Sequence, residues 1–174
     1  MLNHPALKWG LIYGLFFVVT NTIYQFVAPK MIFTGTLTTI LSFAVPIFCM
    51  VMAGREIKAY QEGFLSFGEA LKNTFLVWAI GSLLSLLHQY FQVNFLDPSL
   101  IEVQKEVVAE TGQWMADMFG MNEEMADEMN EQLEAAADEL EHQTFGQAIL
   151  GWLGGCILGL IISLIVSAII KKSY

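Results

Sequence analysis

The residue whose type and setting first suggest chemistry is His88, an imidazole inside the uncharged run 73–96 of a 174-residue chain. A titratable group at membrane depth marks an ion or proton path by default, because keeping it there is costly. Ser85 lies one helical turn before it. A Ser–His nucleophile also needs a group to orient the imidazole and backbone donors for the oxyanion, and the sequence has no signature for either. Asn21, Gln25 and Gln92 fall in the same half of their own apolar runs. Together with His88 they form a candidate polar vestibule. The alternative is that they act as interhelical glue, at about 0.6 kcal/mol per hydrogen bond.

Two further groups bear on metals. Met115, Met118, Met121, Met125 and Met129 are clustered thioethers, soft ligands of the kind that suit Cu(I). Methionine equally fills an irregular helical seam. The acids around them lack the Asp/Asn alternation, central Gly and final Glu of a dedicated calcium loop. No catalytic residue, cofactor or metal site is assigned, and the chain is expected not to be an enzyme. With a net charge of −9, no nucleic-acid partner is expected.

The elements that must position these residues are dictated by composition. Hydrophobic residues make up 55% of the chain and charged residues 14%, against about 45–50% and 25% in ordinary soluble domains. The charges are clumped, leaving uncharged runs at 9–29, 31–54, 73–96 and 142–170, the last with only His142 titratable. Each exceeds the roughly 18 residues that mark a transmembrane helix. Without strand-like alternation the spans are helical, placed at 9–28, 32–53, 74–95 and 147–170. The first is too long for a signal peptide and has no small-x-small cleavage site. Pro46 should kink the second. Cys49 and Cys156 differ in depth by about 15 Å, too far for a disulfide. Trp9, Tyr13, Tyr24, Trp78, Tyr90 and Trp152 fall near predicted interfaces.

Orientation follows the cations. Lys8, Arg55, Lys58, Lys72, Lys171 and Lys172 flank one side, Lys30 and Lys105 the other. Cationic loops stay in the cytoplasm, so both termini are expected there, in a bacterial inner membrane. The connector 54–73 holds Gly63, suited to a left-handed helix end, and then Ser66 and Glu69, spaced as a capping box for the third helix. Between 97 and 145 lie 14 acids and one base, Lys105. Asp97 with Pro98 reads as a helix start. Leu100, Val103, Val107, Trp114 and Met118 recur at helical spacing until Gly120. Asn122 can cap a second helix striped by Met121, Met125, Met129, Leu133, Ala137 and Leu140. The expectation is an extracytoplasmic acidic helical hairpin standing on the membrane; the alternative is a partly disordered acidic linker.

The fourth span places Gly151, Gly155, Gly159, Ser163 and Ser167 at every fourth position. Such small residues let backbones approach closely, here either within the bundle or across a homodimer. Internal packing is the favoured use, so Gly155→Leu should disturb the bundle. Gly10 and Gly14 repeat the spacing once.

The first span, beginning Lys8, Trp9, Gly10, Leu11, Ile12, Tyr13, Gly14, the connector from Gly63 through Gly68 and Glu69 to Lys72, Asp97 with Pro98, and the closing lysines carry a resemblance. The chain resembles small bacterial four-span membrane proteins catalogued as a domain of unknown function. The resemblance implies an integral membrane protein and no activity or ligand; the Met-rich half of the hairpin is not part of it. The fold class expected is thus an all-α membrane protein, with four transmembrane helices and the acidic hairpin between the third and fourth. The lipid bilayer surrounds it, and the hairpin is expected to engage another membrane or periplasmic protein as a non-enzymatic structural component. The competing expectation is a small transporter or channel component using the polar vestibule.

Overall fold

The structure, a computed structural model, describes residues 4–33, 36–141 and 144–171. His142 and Lys172 lie outside these, as do the side chains of Met115, Ala137 and Leu140. The described chain is helical throughout: α1 Pro5–Val27, the single turn α2 Lys30–Phe33, α3 Thr36–Tyr60, α4 Phe67–Phe91, α5 Leu100–Phe119, α6 Glu123–Glu141 and α7 Phe145–Ile170. Four of these, α1, α3, α4 and α7, are long and apolar enough to cross a membrane. Their outward surfaces are correspondingly greasy: Phe26, Ile157 and Ile169 are 80%, 65% and 75% exposed. In water that surface would be untenable; in hydrocarbon it costs nothing.

Small residues set the packing. α4 is the hub, touching α1, α3 and α7. A Cβ at Gly10 would lie 2.9 Å from Ile80, and one at Gly14 would lie 2.8 Å from Leu84, so α1 and α4 run backbone-close. In return, the Tyr13 ring lies over Gly81 of α4. Tyr13 is therefore a core residue, 6% exposed, and not an interfacial one. Trp78, likewise expected at an interface, packs on Gly159.

The end of the bundle that holds both termini is tied by polar contacts. Lys8 pairs with Glu56 at 3.0 Å, the Trp9 indole donates to Glu56 at 2.8 Å, and Lys58 donates to the Ile170 carbonyl at 3.0 Å. A cation on the last carbonyls of α7 is favourable both as a cap and against the helix dipole. After α3 the chain turns through Glu62 (φ 53°) and Gly63 (φ 93°), so the left-handed helix end expected of Gly63 begins one residue earlier, on a glutamate. Ser66 caps α4 by accepting from the Glu69 amide at 3.3 Å. The Glu69 carboxylate meets the Ser66 hydroxyl and the Gln61 amide group, not the Ser66 backbone, so half of the predicted box forms. A full box caps α7 instead, between Thr144 and Gln147. Its T-x-x-Q spacing was there to be read.

The acidic segment forms two helices, as its stripes predict, but along different lines. Gly120 ends α5 in the left-handed conformation (φ 61°), and Asn122 caps α6 through the Met125 amide at 2.9 Å. α5 begins at Leu100, not at Asp97. Lys30 pairs with Glu106 and Glu110, each at 2.8 Å, tying the middle of α5 to the corner between α1 and α3. The two carboxylates hold the Lys30 pKa above its ordinary value. Replacing Lys30 with Ala should increase amide exchange along α5 while the spanning helices keep their protection. These pairs are exposed, so the loosening should be modest and should be mimicked by high salt.

Candidate functional site

The hairpin end of the bundle is built from polar side chains in two separate arrangements. In the first, α4 widens into a π-helical turn, Gln92–Leu96. Such turns insert one residue into the helical ladder and often sit at functional positions. Here the turn brings Gln92 inward, 1% exposed. Its amide donates to the Gln25 carbonyl at 2.6 Å, and the Gln25 amide donates to Asp97 at 3.0 Å. Ser99 completes the chain by donating to the other Asp97 oxygen. The Ser99 hydroxyl first, and Gln25 second, hold the Asp97 carboxyl below the usual carboxylate value. A lowered folded pKa contributes stability that is present at neutral pH and is lost as pH falls through that lowered value. The difference in thermal midpoint between the native chain and Asp97→Asn, measured in detergent at pH 7, should therefore disappear in strong acid.

His88 belongs to the second arrangement. Its Nε2 lies 3.1 Å from the Thr22 hydroxyl. Its Nδ1 is enclosed and has no partner among the described residues. The ring borders a largely apolar recess between α1 and α4 that includes Leu15, Leu84 and Phe91. Asn21 points elsewhere, into a cleft shared with Ser85 and Gln89. Of the four vestibule candidates, then, Gln25 and Gln92 bond each other, while His88 and Asn21 border two different cavities. Ser85 donates to the Gly81 carbonyl at 3.0 Å and makes no pair with His88, so no nucleophilic dyad forms. Among the described residues no three His, Cys, Asp or Glu side chains group in a way that could hold a metal.

The small-residue face of α7 divides at its middle. Gly159 is buried under the Trp78 indole, and Ser163 and Ser167 are fully buried against α4, where the Thr74 and Ser167 hydroxyls lie 2.9 Å apart. An added Cβ at Gly151 or Gly155 meets nothing within 4 Å. Internal packing therefore uses Gly159, Ser163 and Ser167 but neither Gly151 nor Gly155. α7 also touches α4 in its N-terminal half, through Phe145 on Tyr90 and Trp152 on Ser82, but each four-residue step turns about 40° around the helix, so Gly151 and Gly155 are rotated off the face that Gly159 presents to Trp78.

The hairpin has a site the stripe concealed. At about 100° per residue, Trp114 and Met118 lie about 200° around α5 from Gly112 and Ala116. The seam with α6 runs through the latter pair: a Cβ at Gly112 would lie 2.7 Å from Leu133 and Asn130, and Ala116 is buried. Close approach at the small residues turns the large ones outward. Trp114, Met118 and Phe119, with Met125 of α6, are 59%, 56%, 62% and 55% exposed. Asp117 and Glu124 adjoin them in sequence. The nine acids and no base of 123–141 leave this surface strongly negative.

A family model described as "Protein of unknown function (DUF4199)" matches residues 8–172. The chain belongs to the DUF4199 family. The match spans all four membrane-capable helices and the acidic hairpin together. No curated protein and no solved structure matches the chain.

Proposed function

We propose that this DUF4199 protein is a non-enzymatic membrane component of a bacterial inner membrane, with both termini cytoplasmic, that presents the acidic hairpin outside to a basic, amphipathic segment of another protein. The observation that carries this reading is that four large apolar side chains beside the α5–α6 turn, Trp114, Met118, Phe119 and Met125, are exposed in a strongly acidic segment. Isolated exposed apolar residues are ordinary; several aromatics and methionines left exposed beside one helix–helix turn have the composition of a protein interface core. The surrounding carboxylates select a cationic partner and disfavour an anionic lipid surface.

The transporter reading needs a water path through the terminus half of the bundle. There Thr74, Val77, Ser163 and Ser167 are all 0% exposed, which supports a closed, packed core.

Two measurements test the proposal. In a chain lacking Cys49 and Cys156, a cysteine at the exposed position Gln132 should react with an impermeant reagent added to intact cells; protection there with reactivity in inverted vesicles would overturn the orientation. A photo-crosslinking residue at Trp114 should give one discrete, salt-sensitive adduct, whereas the same residue at Gln132 should not. A wild-type-like ladder at both positions, or no adduct at either, would overturn the docking role.

A further inference from the structure

The geometry points to a lipid site in the bundle: the cleft that holds Asn21 binds the head of a neutral, hydroxyl-rich lipid, a glycosyl-diacylglycerol in chemical class. The cleft encloses about 460 Å³ in the hairpin half of the membrane-capable region, between α1, α3, α4 and α7. That lies within the roughly 300–1,000 Å³ typical of small-molecule sites.

Its lining is polar and uncharged. Asn21 and Gln89 border it and make no side-chain hydrogen bond among the described residues. Leaving such amides dry and unpaired is costly, and a hydroxylated occupant removes that cost. Ser42 and Ser82 add hydroxyls, although each already donates to a backbone carbonyl of its own helix. The Trp152 indole, held by the Ser82 hydroxyl at 2.9 Å, gives the cleft a fixed aromatic face of the kind that packs on a sugar ring. No Lys, Arg, Asp or Glu borders the cleft among the described residues. A phosphate would there be desolvated without a counter-charge, which excludes anionic lipids as the favoured occupant.

Access is lateral. α3 and α7 meet at the terminus end, where Lys58 donates to the Ile170 carbonyl and a Cβ at Gly54 would overlap the Ile170 side chain. In the other half of α7, Gly151, Gly154 and Gly155 have nothing within 4 Å of an added Cβ, and Gly151 borders the cleft itself. Acyl chains can therefore stay in the bilayer while the head enters between the two helices. A smaller recess of about 130 Å³ shares Leu86, Gln89 and Ala148 with the cleft and reaches Gln104 of α5.

Native mass spectrometry of the full chain in a sugar-free polyoxyethylene detergent tests this. Monoglucosyl-diacylglycerol and phosphatidylglycerol with identical acyl chains are offered in equal amounts. The glycolipid should bind one to one, with about a tenfold preference or more, equivalent to about 1.4 kcal/mol. Gly151→Leu fills the cleft without striking another helix, and Gln89→Leu removes a head-group partner; each should lower glycolipid binding about tenfold. Gly155→Leu, on the same helix but outside the cleft, should bind as the native chain does. Equal or better binding of phosphatidylglycerol, or unchanged binding in both Gly151→Leu and Gln89→Leu, overturns the site. Displacement of the lipid by excess free glucose overturns the lipid assignment, because the head alone would then suffice.

Discussion

Gly159→Leu should unfold the bundle at a markedly lower temperature, while Gly155→Leu, four residues away on the same helix, should leave the midpoint where it is. At Gly159 the first added carbon already overlaps the Trp78 indole. Trp78 is itself wedged, its ring 6.2 Å from that of Tyr13, which lies over Gly81. The strain has no flexible side chain to absorb it, so α7 must move away from α4. That movement would also open the Thr74–Ser167 hydroxyl contact. Overpacking of this kind costs about 1–3 kcal/mol and sometimes more. At roughly 2–4 °C per kcal/mol for a chain of this size, a fall of several degrees in the detergent midpoint is expected. Gly155 faces open space, so a leucine there meets lipid or detergent. Equal midpoints for the two variants would show that α7 does not pack on α4 through Gly159.

That contrast also shows what a repeat can and cannot reveal. The five small residues from Gly151 to Ser167 are equivalent in sequence, yet only Gly159, Ser163 and Ser167 lie packed against α4. The spacing carries no information about helix rotation, which decides which of the five meets a neighbour. The same holds for the polar residues. The membrane-capable helices themselves were plain from the charge-free runs, and the four vestibule candidates divide between the Gln25–Gln92 pair and two separate cavities. Which neighbour each one meets depends on helix rotation. His88 and Asn21 stand at similar depth, yet His88 takes Thr22 and Asn21 turns to the cleft. The inward turn of Gln92 comes from a π-helical insertion for which the sequence QVNFL has no marker. In the hairpin, the apolar stripe was real but its readout was inverted at one end, because Gly112 and Ala116 permit a closer approach than any large residue could.

The inversion yields the second large effect. Replacing Trp114 and Met118 together by Ala should abolish the hairpin's adduct with its partner and leave the chain's thermal midpoint unchanged. Residues so exposed contribute little to the fold, since the seam runs through Gly112, Ala116 and Leu133 on the other side of α5. Buried in an interface, the same residues become its anchors: truncating a tryptophan hot spot costs about 2 kcal/mol or more, around thirtyfold in affinity. Charge and apolar contact can be separated. Neutralising Glu124, Asp127, Glu128 and Glu131 to Gln should slow capture and remove its salt sensitivity, because rim charges act mainly on encounter. The Trp114 and Met118 truncation should instead shorten the lifetime of the complex at every salt concentration. If the double truncation lowered the midpoint by several degrees, the exposed cluster would be packing within the chain. If capture survived it undiminished, the partner would be reading charge alone.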